Sequence, residues 1–236
     1  MNEKIIKSTV RVKDLGEVFT PKKTVNLMLD QPEIREKIQD LTSTFLEPAA
    51  GEGAFLVELL KRKIKVAKKE SKNANEFGEN CLIALSTLYG IEIMEDNVEM
   101  LVMNMILTFE EMYNQILFAD FSNSKPKKNI LKSAQTIIKA NIAQGDTLKG
   151  ITADGKPIIF SEWKIIKGRP RKVKRLEYTF ESILNCSKPE KAQKKVFEEI
   201  DLFASYYDGE DRSQKQETKK EYATVKWSDI YKEELE

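Results

Sequence analysis

Residues 45–56, F-L-E-P-A-A-G-E-G-A-F-L, constrain the fold of this chain more than any other part of its sequence. An apolar run ends at Glu47, small residues and two glycines follow, and an amphipathic helix begins near Ala54. Glycine lets a backbone approach a ligand closely and takes φ > 0 at little cost. This order predicts an α/β fold in which the loop after a β-strand faces a ligand. One face of the following helix has the i, i+3, i+4 spacing of residues that pack against a sheet, namely Leu56, Leu59, Leu60, Ile64 and Ala67.

The glycine loop does not match the common phosphate-binding patterns. A dinucleotide fold requires G-x-G-x-x-G, and the third position here is Leu56; the Lys-Ser/Thr pair of a phosphate loop is also absent. Glu47 at the strand exit would repel a phosphate but suits a ligand that carries an amino group or another positive charge. S-adenosylmethionine is such a ligand, since it has a sulfonium, an ammonium and no phosphate. An unrelated α/β nucleotide-binding domain is the alternative interpretation.

Three further segments carry a family resemblance. Residues 16–21 read G-E-V-F-T-P, residues 88–93 form a short apolar strand that ends in a carboxylate, and residues 143–148 read A-Q-G-D-T-L. Together with the glycine loop, their order resembles the adenine-N6 DNA methyltransferases of the γ arrangement, in which the F-T-P segment precedes the cofactor loop. The resemblance covers about residues 14–150. It implies a Rossmann-like methyltransferase sheet flanked by helices, S-adenosylmethionine as cofactor, DNA as substrate and a role in restriction-modification.

The resemblance gives the first two motifs their roles. In the family, the F-T-P segment closes over the methionine end of the cofactor, which implies a polar contact for Thr20 and a packing role for Phe19. Gly51 and Gly53 would let the loop backbone lie against the cofactor, with Glu47 near its amino-acid part.

The two later motifs supply carboxylates. By resemblance, Glu92 would accept hydrogen bonds from the ribose hydroxyls, because a carboxylate can accept two at once, and Asp146 would accept one from the adenine amino group of the cofactor. Taken without the family, Glu92 could be a solvated charge at a strand end and Asp146 a turn residue after Gly145. Neighbouring positions complete the implied cofactor set, namely Pro21, Pro48, Ala49, Phe55, Ile93 and Thr147.

The family's base-capturing motif is absent from the 236 residues. Enzymes that methylate exocyclic amines carry an Asn/Asp/Ser-Pro-Pro-aromatic segment after the fourth strand, whereas no two of the seven prolines here are adjacent. In the family, this segment accepts hydrogen bonds from the target amino group and stacks an aromatic ring on the flipped base. Loss of one preorganised polar contact costs roughly 10²–10³ in rate. We therefore expect an incomplete sheet, and catalysis that needs a partner or a further segment. The chain would be the front of a longer protein, half of a split enzyme or a truncated relative.

Residues 157–163 follow the third motif at the distance of a fourth strand. In that strand, Ser161 would accept the hydrogen bond of the target amine and Trp163 would stack on the base. Alternatively, Trp163 anchors a β-hairpin, with a turn at 168–170 and a second strand at 173–180, and the chain then ends in a helical tail.

Basic residues are dense around this predicted hairpin, although the formal net charge of the chain is only +1. They would either neutralise DNA phosphates or cover a solvated hairpin tip. The residues are Lys164, Lys167, Arg169, Arg171, Lys172, Lys174 and Arg175.

We divide the chain into four parts, a polar lead-in at 1–15, a methyltransferase-like cofactor-binding domain at 16–163, a basic hairpin region at 164–187 and a charged helical tail at 188–236. Helices are predicted at 24–40, 97–112, 130–139 and 189–207. Residues 61–80 are expected to continue the helix of the glycine loop and then to fray into a loop, and residues 208–221 read as a polar linker. The apolar set predicted for 24–40 is Val25, Leu27, Met28, Ile34 and Ile38. A last short helix is expected to dock on the domain or on a partner, such as a second methyltransferase subunit or a specificity subunit, through Trp227, Ile230, Tyr231 and Leu235.

Composition excludes several kinds of site. The chain has no histidine, which rules out Ser-His-Asp and Cys-His catalysis and any histidine-ligated metal. Its two cysteines, Cys81 and Cys186, match no zinc spacing, so no metal site is expected. Low cysteine content, with no signal peptide and no long apolar segment, predicts a cytoplasmic protein.

Overall fold

The structure is a computed structural model that describes residues 20–121, 124–168, 170–185 and 221–236. At its centre, three parallel strands stand in the order β1 (Phe45–Glu47), β2 (Leu88–Glu92) and β3 (Ile142–Gln144). Glu47 lies opposite Gly90 and Glu92 lies opposite Gln144, so the strands share one direction and end at the same edge. β1 is the outer strand and pairs only with β2 in the described part of the chain. The α/β fold is confirmed, while the Rossmann arrangement of a larger sheet stays a prediction.

The two faces of this sheet are covered by different parts of the chain. A Cβ atom added at Gly90 would lie only 2.8 Å from the Cδ1 atom of Leu56. The face of β2 at Gly90 therefore packs closely on α3, the helix after β1. Ile91 points to the opposite face, because successive residues of a strand alternate. There it joins a buried apolar cluster with Ile158, Phe160 and Phe180. Helices therefore cover one face and the C-terminal hairpin region covers the other.

The helices that precede β3 are α1 (Lys22–Leu29), α2 (Pro32–Gln39), α3 (Ala54–Lys69), α4 (Ala74–Ser86), α5 (Glu95–Asp120) and α6 (Lys128–Asn141). In α3, the predicted apolar face is confirmed, since all five of its residues are buried. The predicted helices 97–112 and 130–139 are confirmed as α5 and α6, which are both longer than the sequence pattern suggested.

The single helix predicted at 24–40 is wrong, because two short helices occupy this range. Pro32 lacks a backbone N–H and disfavours helical geometry at the residue before it, so the chain breaks and a second helix begins at the proline. The break changes the buried face. Val25, Leu29 and Ile38 are buried, whereas Leu27 and Met28 are exposed, contrary to prediction.

The expected continuation of the glycine-loop helix past residue 61 is confirmed, since α3 runs to Lys69. The loop expected in the rest of 61–80 is limited to residues 70–73, because α4 begins at Ala74. Asn73 caps this helix by accepting hydrogen bonds from the backbone N–H groups of Asn75 and Glu76. Nearly all residues from 77 to 86 are buried. A helix that is buried on every side lacks the apolar stripe from which amphipathic helices are recognised.

The predicted hairpin is confirmed, with β4 (Ile159–Ile166) and β5 (Lys172–Thr179) antiparallel and followed by the short helix α7 (Phe180–Leu184). A short strand, β6 (Val225–Lys226), adds to β5. The interpretation of 157–163 as a fourth strand of the parallel sheet is therefore wrong. β4 belongs to a separate three-stranded antiparallel sheet, because its hydrogen-bonding partner is β5.

The C-terminal segment docks on the chain itself. A 3₁₀ helix (Trp227–Lys232) packs on α6 and buries Trp227 and Ile230. The backbone N–H of Tyr231 lies 3.3 Å from the hydroxyl of Ser133 and donates to it. Leu235 is exposed, so its place in the predicted apolar face is wrong.

Several predictions concern residues outside the described ranges. These are the lead-in 1–15, Phe19, Arg169, the helix 189–207 and nearly all of the linker 208–221. The division into four parts also stays a prediction. In the ranges that the structure describes, no helix is long and apolar enough to cross a membrane, and no group of three potential metal ligands is found.

Candidate cofactor site

Three loops meet where the parallel strands end. The backbone N–H of Ala50, after β1, donates to the carbonyl oxygen of Ile91 at 2.9 Å. The N–H of Gly145, after β3, donates to the carbonyl oxygen of Glu92 at 3.0 Å. Both outer loops are thus bonded to the end of β2, which fixes the sequence motifs next to one another.

The carboxylate of Glu92 is the centre of this arrangement. Its Oε2 atom accepts from the N–H of Gly51 at 2.8 Å, and its Oε1 atom accepts from the N–H of Met94 at 2.9 Å. The side-chain amide of Asn97 donates to the same Oε1 atom at 3.4 Å. Glu92 is only 7% exposed, so it is not a solvated strand-end charge. A carboxylate offers about four acceptor positions, which leaves capacity for a ligand hydroxyl.

The two glycines of the loop have different surroundings. Gly53 has φ 95° and caps α3, and a Cβ atom there would lie 2.4 Å from the Cδ1 atom of Leu101. Gly51 has φ 53°, and a Cβ atom there would have nothing within 4 Å. Packing therefore requires glycine at position 53, whereas Gly51 faces open space.

The loop after β1 is also tied to the loop after β3. The hydroxyl of Thr147 donates to the carbonyl oxygen of Pro48 at 2.5 Å. Glu47 is half-buried, and its Oε1 atom lies 3.4 Å from the backbone nitrogen of Ala49 and accepts from it. Burial raises the pKa of the Glu47 carboxyl above its usual value. Pro48 and Ala49 are exposed and form the outer rim of the site.

Asp146 holds the turn that follows β3. Its Oδ1 atom accepts from the N–H groups of Leu148 at 2.9 Å and Lys149 at 3.2 Å. The ammonium of Lys149 lies 3.3 Å from Oδ2. These contacts, the backbone N–H of Lys149 first among them, hold the pKa of Asp146 below its usual value. The turn interpretation is thus confirmed, and the contact with a cofactor adenine stays a prediction.

The remaining described members of the predicted cofactor set are Ile93, Phe55, Thr20 and Pro21. Ile93, directly after Glu92, is 53% exposed, and Phe55 at the start of α3 is half-buried. Thr20 and Pro21 lie just before α1, where the carbonyl oxygen of Pro21 accepts from the N–H of Thr24 at 2.9 Å. No hydrogen bond among the described residues joins Thr20 or Pro21 to the three loops.

Several residues that hold the glycine loop, Glu92 and α1 in position were not predicted from the sequence. Asn104 donates to the carbonyl oxygen of Glu52 at 2.9 Å, and Asn97 supports Glu92 from the same helix, α5. The two asparagines are seven residues apart and so share a helix face, which was a usable signal. The guanidinium of Arg62 in α3 bonds Asp30 at 2.8 Å and Asn26 at 2.9 Å, and thereby fixes α1 on the glycine-loop helix.

The proposed substitutes for the base-capturing motif are buried inside the hairpin. Trp163 donates its indole N–H to the Oδ1 atom of Asn141 at 2.8 Å. Ser161 accepts from the guanidinium of Arg175 at 2.9 Å, and its carbonyl oxygen accepts from the hydroxyl of Tyr89 at 2.7 Å. These contacts favour the interpretation of Trp163 as the anchor of the hairpin.

The predicted basic patch divides into two groups. Arg171 bonds Asn80 at 2.8 Å and Glu79 at 3.3 Å, so it ties the hairpin to α4. Arg175 is mostly buried and pairs with carboxylates on both sides. Lys174 lies 2.9 Å from Glu236. The remaining described members are exposed, namely Lys164, Lys167 and Lys172.

A parallel sheet whose loops gather glycines and carboxylates at the strand ends is consistent with a methyltransferase-like α/β fold. Residues 3–152, more than half of the chain, match the family described as N-6 DNA methylase. The chain belongs to this family. The predicted relationship to adenine-N6 DNA methyltransferases is thereby confirmed, and the γ order of motifs stays a prediction. Comparisons with curated proteins and with solved structures returned no match.

Proposed function

We propose that this chain binds S-adenosylmethionine and serves as the cofactor-binding module of an adenine-N6 DNA methyltransferase of the restriction-modification type. The observation that carries the proposal is the joining of the glycine loop, the end of β2 and the loop after β3 through Glu92. Because the Gly51 N–H is fixed to this carboxylate, the loop backbone and the acceptor are already positioned before any ligand arrives. Preorganisation of this kind reduces the entropic cost of binding.

The side chains at the ends of the parallel strands have the chemistry that this ligand requires. An ammonium beside Glu47 would reverse the effect of burial on its carboxyl, since a nearby positive charge favours the ionised form. One ribose hydroxyl would donate to the remaining acceptor position of Glu92, and the adenine amino group would donate to Asp146. The exposed side chain of Ile93 would cover one face of the adenine ring.

The second candidate function is that of a methyltransferase-like assembly protein without catalysis, which the missing base-capturing motif favours.

Base capture would then come from outside these 236 residues. The chain contains no adjacent prolines, and the two side chains considered as substitutes are buried in contacts of their own. We place the transfer step in an assembly in which this chain supplies the cofactor and a partner or further segment holds the flipped adenine.

Calorimetric titration with S-adenosylmethionine tests cofactor binding. Ile93→Ala is expected to weaken binding about 5- to 30-fold, because covering the lost side-chain carbons contributes roughly 1–2 kcal/mol. Leu107→Ala is the matched control, since Leu107 is 57% exposed against 53% for Ile93 but lies about 20 Å further along α5. Absence of binding by the wild-type chain would refute the proposal, and equal affinity of both variants would remove Ile93 from the site.

A methyl-transfer assay on unmethylated DNA separates the two candidate functions. The chain alone is expected to be inactive and to gain activity when co-encoded subunits are added. An assembly that binds the cofactor and still transfers no methyl group would support the non-catalytic alternative.

A further inference from the structure

Lysines lie directly opposite one another on one face of the antiparallel sheet. Lys164 pairs in register with Lys174, and Lys172 pairs with Lys226. Residues opposite each other in an antiparallel pair share a face, and so do residues two apart in one strand. All four lysines therefore belong to the same face, about 10 Å across the three strands. Lys226 was not among the residues predicted to contact DNA.

This arrangement is unfavourable for the protein on its own, because like charges opposite each other destabilise a sheet. Lys174 has a carboxylate partner, since its ammonium lies 2.9 Å from Glu236. Lys164, Lys172 and Lys226 are exposed and have no carboxylate within ion-pair distance in the described part of the chain. Glu162, two residues before Lys164 on the same face, accepts from the hydroxyl of Tyr178 at 2.7 Å. Three lysines without an ion-pair partner are thus left for an anion from outside.

The opposite face of the sheet is structural. Trp163 and Val173 are buried in the core cluster that the helices form. Arg175 shares that face, where its guanidinium stacks 4.3 Å from the ring centre of Tyr222 and pairs with Glu177 and Glu233. Arg175 therefore makes contacts within the protein, whereas the lysines of the other face point outward. Their flexible side chains carry compact ammonium charges that can contact phosphates.

We propose that this lysine face, formed by Lys164, Lys172, Lys174 and Lys226, binds the phosphate backbone of duplex DNA through the three lysines without an ion-pair partner. The choice of DNA as the polyanion rests on the proposed function. Phosphates would neutralise the repulsion between opposite lysines, so the repulsion stored in the free protein is relieved on binding. A two- or three-stranded antiparallel ribbon is an established shape for contact with DNA. Contacts with the backbone position the duplex and do not read its sequence.

The test is the variant Lys164→Gln/Lys172→Gln/Lys226→Gln, with affinity for duplex DNA measured by fluorescence anisotropy across a series of salt concentrations. Each lost phosphate contact lowers the slope of log affinity against log salt by about 0.9, so the slope should fall by about 3. The loss of affinity between roughly 50 and roughly 200 mM salt should accordingly be about 40-fold smaller than for the wild type. The thermal midpoint of the free variant should rise, because repulsion is removed.

The control is Lys37→Gln/Lys65→Gln/Lys69→Gln, which changes the net charge equally through exposed lysines of α2 and α3. It should keep the wild-type salt slope. An unchanged slope in the lysine-face variant Lys164→Gln/Lys172→Gln/Lys226→Gln, or an equal fall in this variant and the control, would overturn the proposal. Wild-type binding to anionic vesicles without binding to DNA would also overturn it. Titration of the lysine-face variant with S-adenosylmethionine keeps the two proposals apart. Unchanged cofactor affinity together with unchanged DNA binding would refute the lysine face alone.

Discussion

Replacement of Gly53 by alanine is expected to destabilise the protein far more than the same change at Gly51. Both glycines have positive φ, 53° at Gly51 and 95° at Gly53. A residue with a Cβ atom costs about 1–2 kcal/mol in the left-handed region, and both variants bear this cost. Only at position 53 does the new atom also collide with a neighbour, Leu101.

The collision determines the difference between the variants. The new Cβ atom would lie 2.4 Å from the Cδ1 atom of Leu101, whose side chain is fully buried and therefore cannot move away freely. Overpacking of this kind costs about 1–3 kcal/mol. We expect Gly53→Ala to lose about 2–5 kcal/mol of unfolding free energy and Gly51→Ala about 1–2 kcal/mol.

Urea denaturation followed by tryptophan fluorescence measures both losses, since Trp163 and Trp227 are buried and report on unfolding. The double variant Gly53→Ala/Leu101→Ala completes the cycle. Because the truncated leucine no longer meets the new Cβ atom, the double variant should be more stable than the two single losses add up to, by about 1–3 kcal/mol. Equal losses at positions 51 and 53, or strict additivity in the cycle, would refute the packing argument.

Two further predictions concern buried polar groups. The Lys63 ammonium is buried against the carbonyl oxygens of Asp40 and Ser43, and burial lowers its pKa from 10.5 to about 8. The unfolded chain therefore holds this proton more tightly than the folded chain does. The free energy of unfolding should accordingly rise by about 3 kcal/mol from about pH 8 to about pH 10.5. Denaturation measured across this pH range should show no such rise in the variant Lys63→Met. Trp163→Phe leaves the Oδ1 atom of Asn141 without its hydrogen-bond donor and opens a small cavity. Calorimetry should show that the free energy of unfolding falls by about 2–4 kcal/mol. A fall of less than about 1 kcal/mol would contradict the anchoring role of Trp163.

The parts of the fold that were predictable depend on local patterns. The helix after the glycine loop has one apolar stripe, and all five of its predicted residues are buried. The strand that ends at Glu92 is a short apolar run that stops at a charge. In both cases the deciding interactions involve residues close in sequence, so the order of residue types carries the information.

The parts that escaped prediction depend on distant contacts. Glu92 and Gly51 are 41 residues apart, and their hydrogen bond follows only from the pairing of β1 with β2. Arg171 and Asn80 are 91 residues apart, and this contact gives a predicted DNA-binding arginine a structural role that the sequence did not indicate. A helix buried on all sides, α4, leaves no stripe in the sequence from which to predict it.

The edge of β1 has a consequence for how the parallel sheet can grow. The N–H of Phe45 donates to the carbonyl oxygen of Thr87 at 2.9 Å, so the backbone groups of Leu46 point away from β2. Leu46 is also 40% exposed. A strand supplied from elsewhere can add in parallel at this edge without breaking any bond between β1 and β2. Its carboxyl end would lie at the same edge of the sheet as that of β1, so the loop that follows it would join the three loops of the proposed cofactor site.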